Sequence, residues 1–281
     1  MDVKESGKRK NRSKRNKVMP VIPNIFTTGN LFFGLLSIMT SIEVLHASAA
    51  GTATSEWLFS RLWWAAAFLV IAAFFDVLDG KLARFIKHES KFGLSYDSLS
   101  DLVSFGVAPG ILIYVWVLMG AGKLGLMALL FYIVCTALRL ARFNVQSGNV
   151  ERFKFTGLPS PWAAGLMVSP VMLLSAFQIA PDHRVMWYYL AAAPFIGLLM
   201  VSNVPYWKRP ALNTAGPFNA LVVAAILFAA VITNPEIVFI SVAYLYAAIG
   251  MGVYVFRQLR QWSKTSDEAR SSDETRSEEG G

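Results

Sequence analysis

An all-α, polytopic membrane bundle of about eight transmembrane helices is the fold class this sequence predicts, on three observations. Hydrophobic residues make up 55% of the 281 and eight are Trp, too apolar for an ordinary soluble domain. Apolar runs recur along the chain at lengths near the ~20 helical residues that cross a hydrocarbon core. Lys and Arg, finally, collect in alternate connections rather than evenly.

Taken in order, residues 1–19 are polar and basic, from Lys4 to Lys17, and read as a disordered tail suited to an anionic leaflet. Pro23-Asn24-Ile25-Phe26-Thr27-Thr28-Gly29-Asn30 then leads into a first apolar run, Leu31 to about Leu45. A basic start, an apolar stretch and Ala47-Ser48-Ala49 also resemble a signal peptide. Against that, Asn24, Thr27 and Asn30 lie three apart on one helical face that needs partners, and cleavage would discard it. The second span runs from Trp57 to about Phe75, its helix continuing through Asp76 to Arg84. The third is expected over about 94–119 and the fourth over 124–138. A polar segment from Arg139 to Ser160 follows, with Arg142, Arg152 and Lys154. The fifth span is expected over 161–180, the sixth over 187–201, the seventh over 218–232 and the eighth over 237–256. Residues 261–281 are a second charged, disordered tail, which leaves 20–260 as one transmembrane domain.

Eight spans put both termini on one side. If that side is the cytoplasm, 23 of the 26 Lys and Arg face inward, and only Arg61, Lys123 and Arg184 do not. The net charge of +8 is thereby explained by membrane orientation, without nucleic acid. A lone cysteine, Cys135, inside an apolar run excludes an intrachain disulfide and reads as packing. The expected location is an integral membrane protein of the bacterial inner membrane, with site and termini cytoplasmic.

The chemistry concentrates between residues 76 and 101. Asp76 and Asp79 end the second span, and Asp97 and Asp101 begin the third. Each pair has a spacing that puts it on one helical face, so two antiparallel helices would gather all four carboxylates. Acids at membrane depth are costly unless they bind cations or pair with bases. Clustered oxygen donors suit Mg²⁺ or Mn²⁺, and two such ions can clamp a diphosphate. His88 stands alone, so no zinc site is expected. Gly80 leaves room for a ligand, and Arg84 is placed to grip a phosphate. The bland alternative is that Arg84 only neutralises a neighbouring Asp, and it can serve just one of the four.

The pattern Asp76-x-x-Asp79-Gly80-x-x-Ala83-Arg84, eight residues, Gly93, three residues, Asp97, three residues, Asp101 resembles the signature of the CDP-alcohol phosphotransferases. That resemblance implies a six-helix core, usually in a homodimer. It further implies two metal ions on Asp76, Asp79, Asp97 and Asp101, with Asp101 also the general base. Gly80, Arg84 and Ser90 would contact the CDP moiety. Three further stretches resemble the bacterial integral-membrane phosphatidylserine synthases within that family: Pro23-Asn24-x-x-Thr27-x-x-Asn30, the run Leu138 to Asn144, and the run Phe155 to Pro161. On this likeness Asn24 and Thr27 help hold the nucleotide, and the reaction is CDP-diacylglycerol plus L-serine giving phosphatidylserine and CMP. Serine's carboxylate needs a cation, which Arg139 or Arg142 would supply; anchoring at the end of span four is the plain alternative for both. Choline, glycerol phosphate or inositol phosphate as acceptor would keep the same chemistry. A divalent-cation transporter is the rival from another class, but such sites tend to lie near the midplane between paired repeats, and no repeat is evident.

Overall fold

The computed structural model describes residues 21–86, 91–146, 157–202 and 230–253. Every element among them is helical. They are α1 (Val21–Ala50), α2 (Ser55–Ile86), α3 (Lys91–Asp101), α4 (Ala108–Trp116), α5 (Lys123–Gln146), α6 (Ser160–Ala176), α7 (His183–Val201) and α8 (Pro235–Val253). A π-helical segment, Leu102–Val107, joins α3 to α4, so that Phe92–Trp116 is one membrane-length rod. Among the described residues six helices are long and apolar enough to cross a membrane, and α6 is a shorter apolar helix. The chain is therefore a polytopic helical membrane protein, as helices satisfy their own backbone in lipid. The span expected over 218–232 lies outside the described residues except at its end, as do the 1–19 and 261–281 tails, Ser90, Arg152 and Lys154.

The first span begins ten residues earlier than its apolar run, at Val21, because Thr27 and Asn30 are buried in the bundle. Pro23 fits there, since a first turn has no use for its missing N–H. Thr54 starts α2 by accepting the Trp57 backbone N–H at 3.3 Å. Asp182 does the same for α7, accepting from Arg184 N and Val185 N at 3.0 and 3.1 Å.

The α3–π–α4 rod is the centre of the bundle and packs against α1, α2, α5 and α6. Its π turn has a local cause. Pro109 carries no N–H, so the Phe105 carbonyl four residues back lacks its i+4 donor. Tyr132 of α5 donates its hydroxyl to that carbonyl at 2.8 Å, while Ala108 N reaches back five residues to Val103 O. Gly34 lets α1 approach this turn closely, as a Cβ there would strike Ser104. The core continues outward through Leu112, Ile113, Tyr132, Met167, Val171 and Tyr189. At the other end of α6, Gly157 takes φ 90° against the Met200 carbonyl, and Leu158 N donates to Leu199 O at 3.1 Å. That turn ties residues 157–161, the described part of the Phe155–Pro161 run, to the end of α7.

Candidate active site

Three helices build the site. Asp76 and Asp79 lie on α2 where its apolar run ends, and Asp97 and Asp101 lie on α3. Carboxylate oxygens of Asp76, Asp97 and Asp101 all lie within 4.8 Å of one another. Asp79, the fourth acid expected there, interacts electrostatically with Asp76. Asp79, one turn beyond Asp76, is buried and accepts a hydrogen bond from the Thr27 hydroxyl of α1. Three residues along a helix rotate a side chain by about 60° from its partner, which is enough to aim Asp79 at α1.

The polar ridge of α1 is what fits between the two acidic helices. Thr27 serves Asp79, and Asn30, with no exposed surface, donates Nδ2–H to Asp101 Oδ1 at 3.1 Å. In return α3 and the π turn bind α1: Ser100 Oγ donates to Thr27 O and Ser104 Oγ to Asn30 O, each at 3.0 Å. Thr28 and Tyr96 share a further hydroxyl contact at 3.0 Å. Threonine, asparagine and serine can be buried here because each is hydrogen-bonded across helices. Ser100 and Ser104 went unassigned in the sequence reading. Their signal was present: at i and i+4, interleaved with Asp97 and Asp101, they share the inward side of the helix.

Arg139, on α5, stands beside the cluster. It is electrostatically coupled to Asp76 and Asp101 but makes no ion pair with them; its NH1 donates to Ser160 Oγ at 2.7 Å. The sequence stretches around residues 139 and 160 therefore meet at the site. Arg142 donates to the Val201 carbonyl at the end of α7 at 3.1 Å. Asn144 completes this side through Ser98, whose Oγ lies 2.9 Å from Asn144 Oδ1. Gly80 lies on α2 one residue past Asp79. Asn24 and Arg84 lie on α1 and α2, with side chains outside the described set, and Ser90 lies outside it altogether.

This donor set fits a hard divalent cation. Three carboxylates at such a distance repel one another unless a cation or protons intervene, and all the ligand atoms are oxygen. Arg139 bonds the Ser160 hydroxyl rather than pairing with Asp76 or Asp101.

Comparison with known proteins agrees with this geometry. The family model for CDP-alcohol phosphatidyltransferase matches residues 20–254. A Helicobacter pylori protein named CDP-diacylglycerol–serine O-phosphatidyltransferase is 33% identical over 186 residues, covering 66% of this chain and 71% of that one. Proteins of the same name from Mycobacterium leprae and Bacillus subtilis are 32% identical over 232 residues and 33% over 197. The first alignment covers 80% of this chain and 71% of the relative, the second 69% and 94%. With its acidic motif whole and the family match running through every described helix, the chain belongs to the CDP-alcohol phosphatidyltransferase family.

Proposed function

We propose that this protein transfers the phosphatidyl group of CDP-diacylglycerol to the hydroxyl of L-serine, releasing phosphatidylserine and CMP. The observation that carries the reading is the Asp76, Asp97 and Asp101 cluster at the head of the α3 rod, with Arg139 alongside. Relatives named for this activity, alike over most of their lengths, support serine as acceptor.

Members of the family generally depend on divalent metal. Two Mg²⁺ or Mn²⁺ ions, held by Asp76, Asp79, Asp97 and Asp101, would supply Lewis-acid stabilisation of the diphosphate charge. The chain's own residues do the rest. Asn24, Thr27, Gly80, Arg84 and Ser90 hold the cytidine diphosphate, Arg84 by bidentate hydrogen bonds to phosphate oxygens. Arg139 takes the serine carboxylate, its guanidinium being already next to the cluster; Arg142, tied to Val201, is the second cation on that side. Asp101 accepts the serine hydroxyl proton as that oxygen bonds to the lipid-bearing phosphorus. The bond from this phosphorus to the bridging oxygen breaks, and CMP leaves with that oxygen.

The catalytic domain comprises residues 20–260 between two charged tails. By charge distribution the site and both termini face the cytoplasm of a bacterial inner membrane. Family likeness further implies a homodimer, which the mass of the detergent-solubilised protein tests. The reaction is tested by CMP release from CDP-diacylglycerol with one alcohol at a time. Release requiring L-serine and a divalent metal together is the expected result. Release with choline, glycerol phosphate or inositol phosphate instead overturns the acceptor, and release with none overturns the transfer reaction.

A further inference from the structure

We infer that Asn30 is a positioning residue for the reaction: its amide nitrogen fixes the carboxylate of Asp101. This rests on the transfer reaction proposed above, with Asp101 as proton acceptor. Asn30 is fully buried on α1, and its Nδ2 lies 3.1 Å from Asp101 Oδ1. The amide orientation follows from chemistry, because an ionised carboxylate only accepts hydrogen bonds and must face the NH₂ group. With Nδ2 so committed, Asn30 Oδ1 is left buried and without a hydrogen-bond partner among the described residues. An amide kept in that state is not explained by helix packing. The backbone of Asn30 already serves packing, through the hydroxyl of Ser104.

Asparagine also meets an electrostatic demand that no charged residue can. Lys or Arg at this position would neutralise Asp101 and compete with a cation for the cluster, and Asp would add another negative charge. A neutral donor orients one carboxylate oxygen and leaves the group's charge unchanged. Asp101 sits where α3 gives way to the π turn, a feature frequent at functional sites. The Asn30 amide holds its carboxylate from a different helix.

The test compares Asn30→Ala with Ser104→Ala, which removes an α1–π turn hydrogen bond without touching Asp101. Outer partners that orient a reacting or ligating group typically contribute ~10–100-fold. Asn30→Ala should lower kcat by that factor, with both KM values within about twofold of wild type. Asn30→Leu, which fills the same space, should do the same and serves if the alanine variant fails to fold. Ser104→Ala should lower thermal stability and leave kcat near wild type. A second readout needs no turnover: the infrared carboxylate band that disappears in Asp101→Asn should shift in both Asn30 variants and stay put in Ser104→Ala. An unshifted band, an unchanged kcat, or equal kcat losses in Asn30→Leu and Ser104→Ala would each overturn the inference. Should the wild type release no CMP, the transfer reading falls, while the infrared band still decides whether Asn30 holds Asp101.

Discussion

The α3–π–α4 rod and α8 are both apolar enough to cross a membrane, yet the bundle treats them oppositely. Over the spanning window 56% of the rod is buried in protein, against 11% for α8. Their contents differ in the same way. Along the rod run Asp97, Ser100, Asp101, Ser104, Gly106 and Gly110, while α8 turns Ile237, Val242, Leu245 and Ile249 outward. In water the larger aliphatic residues would mark the interior. In lipid they gain little by moving from acyl chains to protein, so small and polar residues mark it instead. Hydropathy therefore finds the spans, and their polar residues say which span is central. The rod gathers chemistry because its polar groups can be satisfied only by other helices.

Substitutions at the rod and at α8 should separate the two by orders of magnitude. Asp101→Asn should have the largest effect, lowering kcat by ~10²–10⁴ through loss of the proton acceptor. Mn²⁺ binding, followed by electron paramagnetic resonance, should persist on the remaining carboxylates. Near-normal CMP release in this variant would remove Asp101 from the mechanism. Next comes Arg139→Ala, outside the rod but facing it. It should raise the KM for serine by ~10–100-fold, the range for losing a hydrogen bond to a charged group, and change the KM for CDP-diacylglycerol little. An equal rise in both KM values would make Arg139 a general structural cation rather than the acceptor's partner.

A smaller effect is expected where the rod is braced. Tyr132→Phe takes the side-chain donor from the Phe105 carbonyl, which already lacks its i+4 donor because of Pro109. An unsatisfied buried acceptor costs about 1–3 kcal/mol, so the variant should unfold earlier in detergent. The KM values should hold, since the lost hydroxyl bonds the Phe105 carbonyl and no proposed substrate residue. An unchanged unfolding temperature would mean that the π turn does not depend on this bond.

Much of this was legible beforehand because it is local. The acidic motif is a matter of spacing, and the spans a matter of composition. What was not legible is the direction of Asp79, which depends on where α1 lies. Nothing within 76–101 encodes that, since Thr27 is 52 residues away. The π turn was likewise hidden: Pro109 suggests a broken hydrogen bond, but its repair comes from Tyr132 on another helix. Hydropathy marks the first span only from Leu31, and Thr27 and Asn30 lie before it although α1 reaches back to Val21. They are interior residues, and only their partners on α2 and α3 reveal it. Asn24, Thr27 and Asn30 had been read as one face in need of partners, and for Thr27 and Asn30 the partners are the two acidic helices.

The smallest effect should come from α8, and it sharpens the contrast most directly. Among the described residues, α8 meets the bundle through Phe239 and Ala243 near Gly165, Ala247 against the core, Tyr246 stacked on Trp162 at 4.1 Å, and the Tyr244 and Tyr188 hydroxyls 2.7 Å apart. The hydroxyl pair is exposed, so either group left alone can turn to headgroups or water. Tyr244→Phe should thus change stability by no more than about 0.5 kcal/mol, the ordinary range for a surface substitution. CMP release should stay within about twofold of wild type. Tyr132→Phe, also the loss of one tyrosine hydroxyl, is its matched control in the core. Their unfolding temperatures, measured side by side in one detergent, should differ because only the core variant leaves a buried acceptor unsatisfied. If the two shifts are equal, burial is not what distinguishes the rod from α8; if Tyr244→Phe also lowers turnover, α8 belongs to the working site through Tyr246, Trp162 and the Ser160–Arg139 contact two residues away.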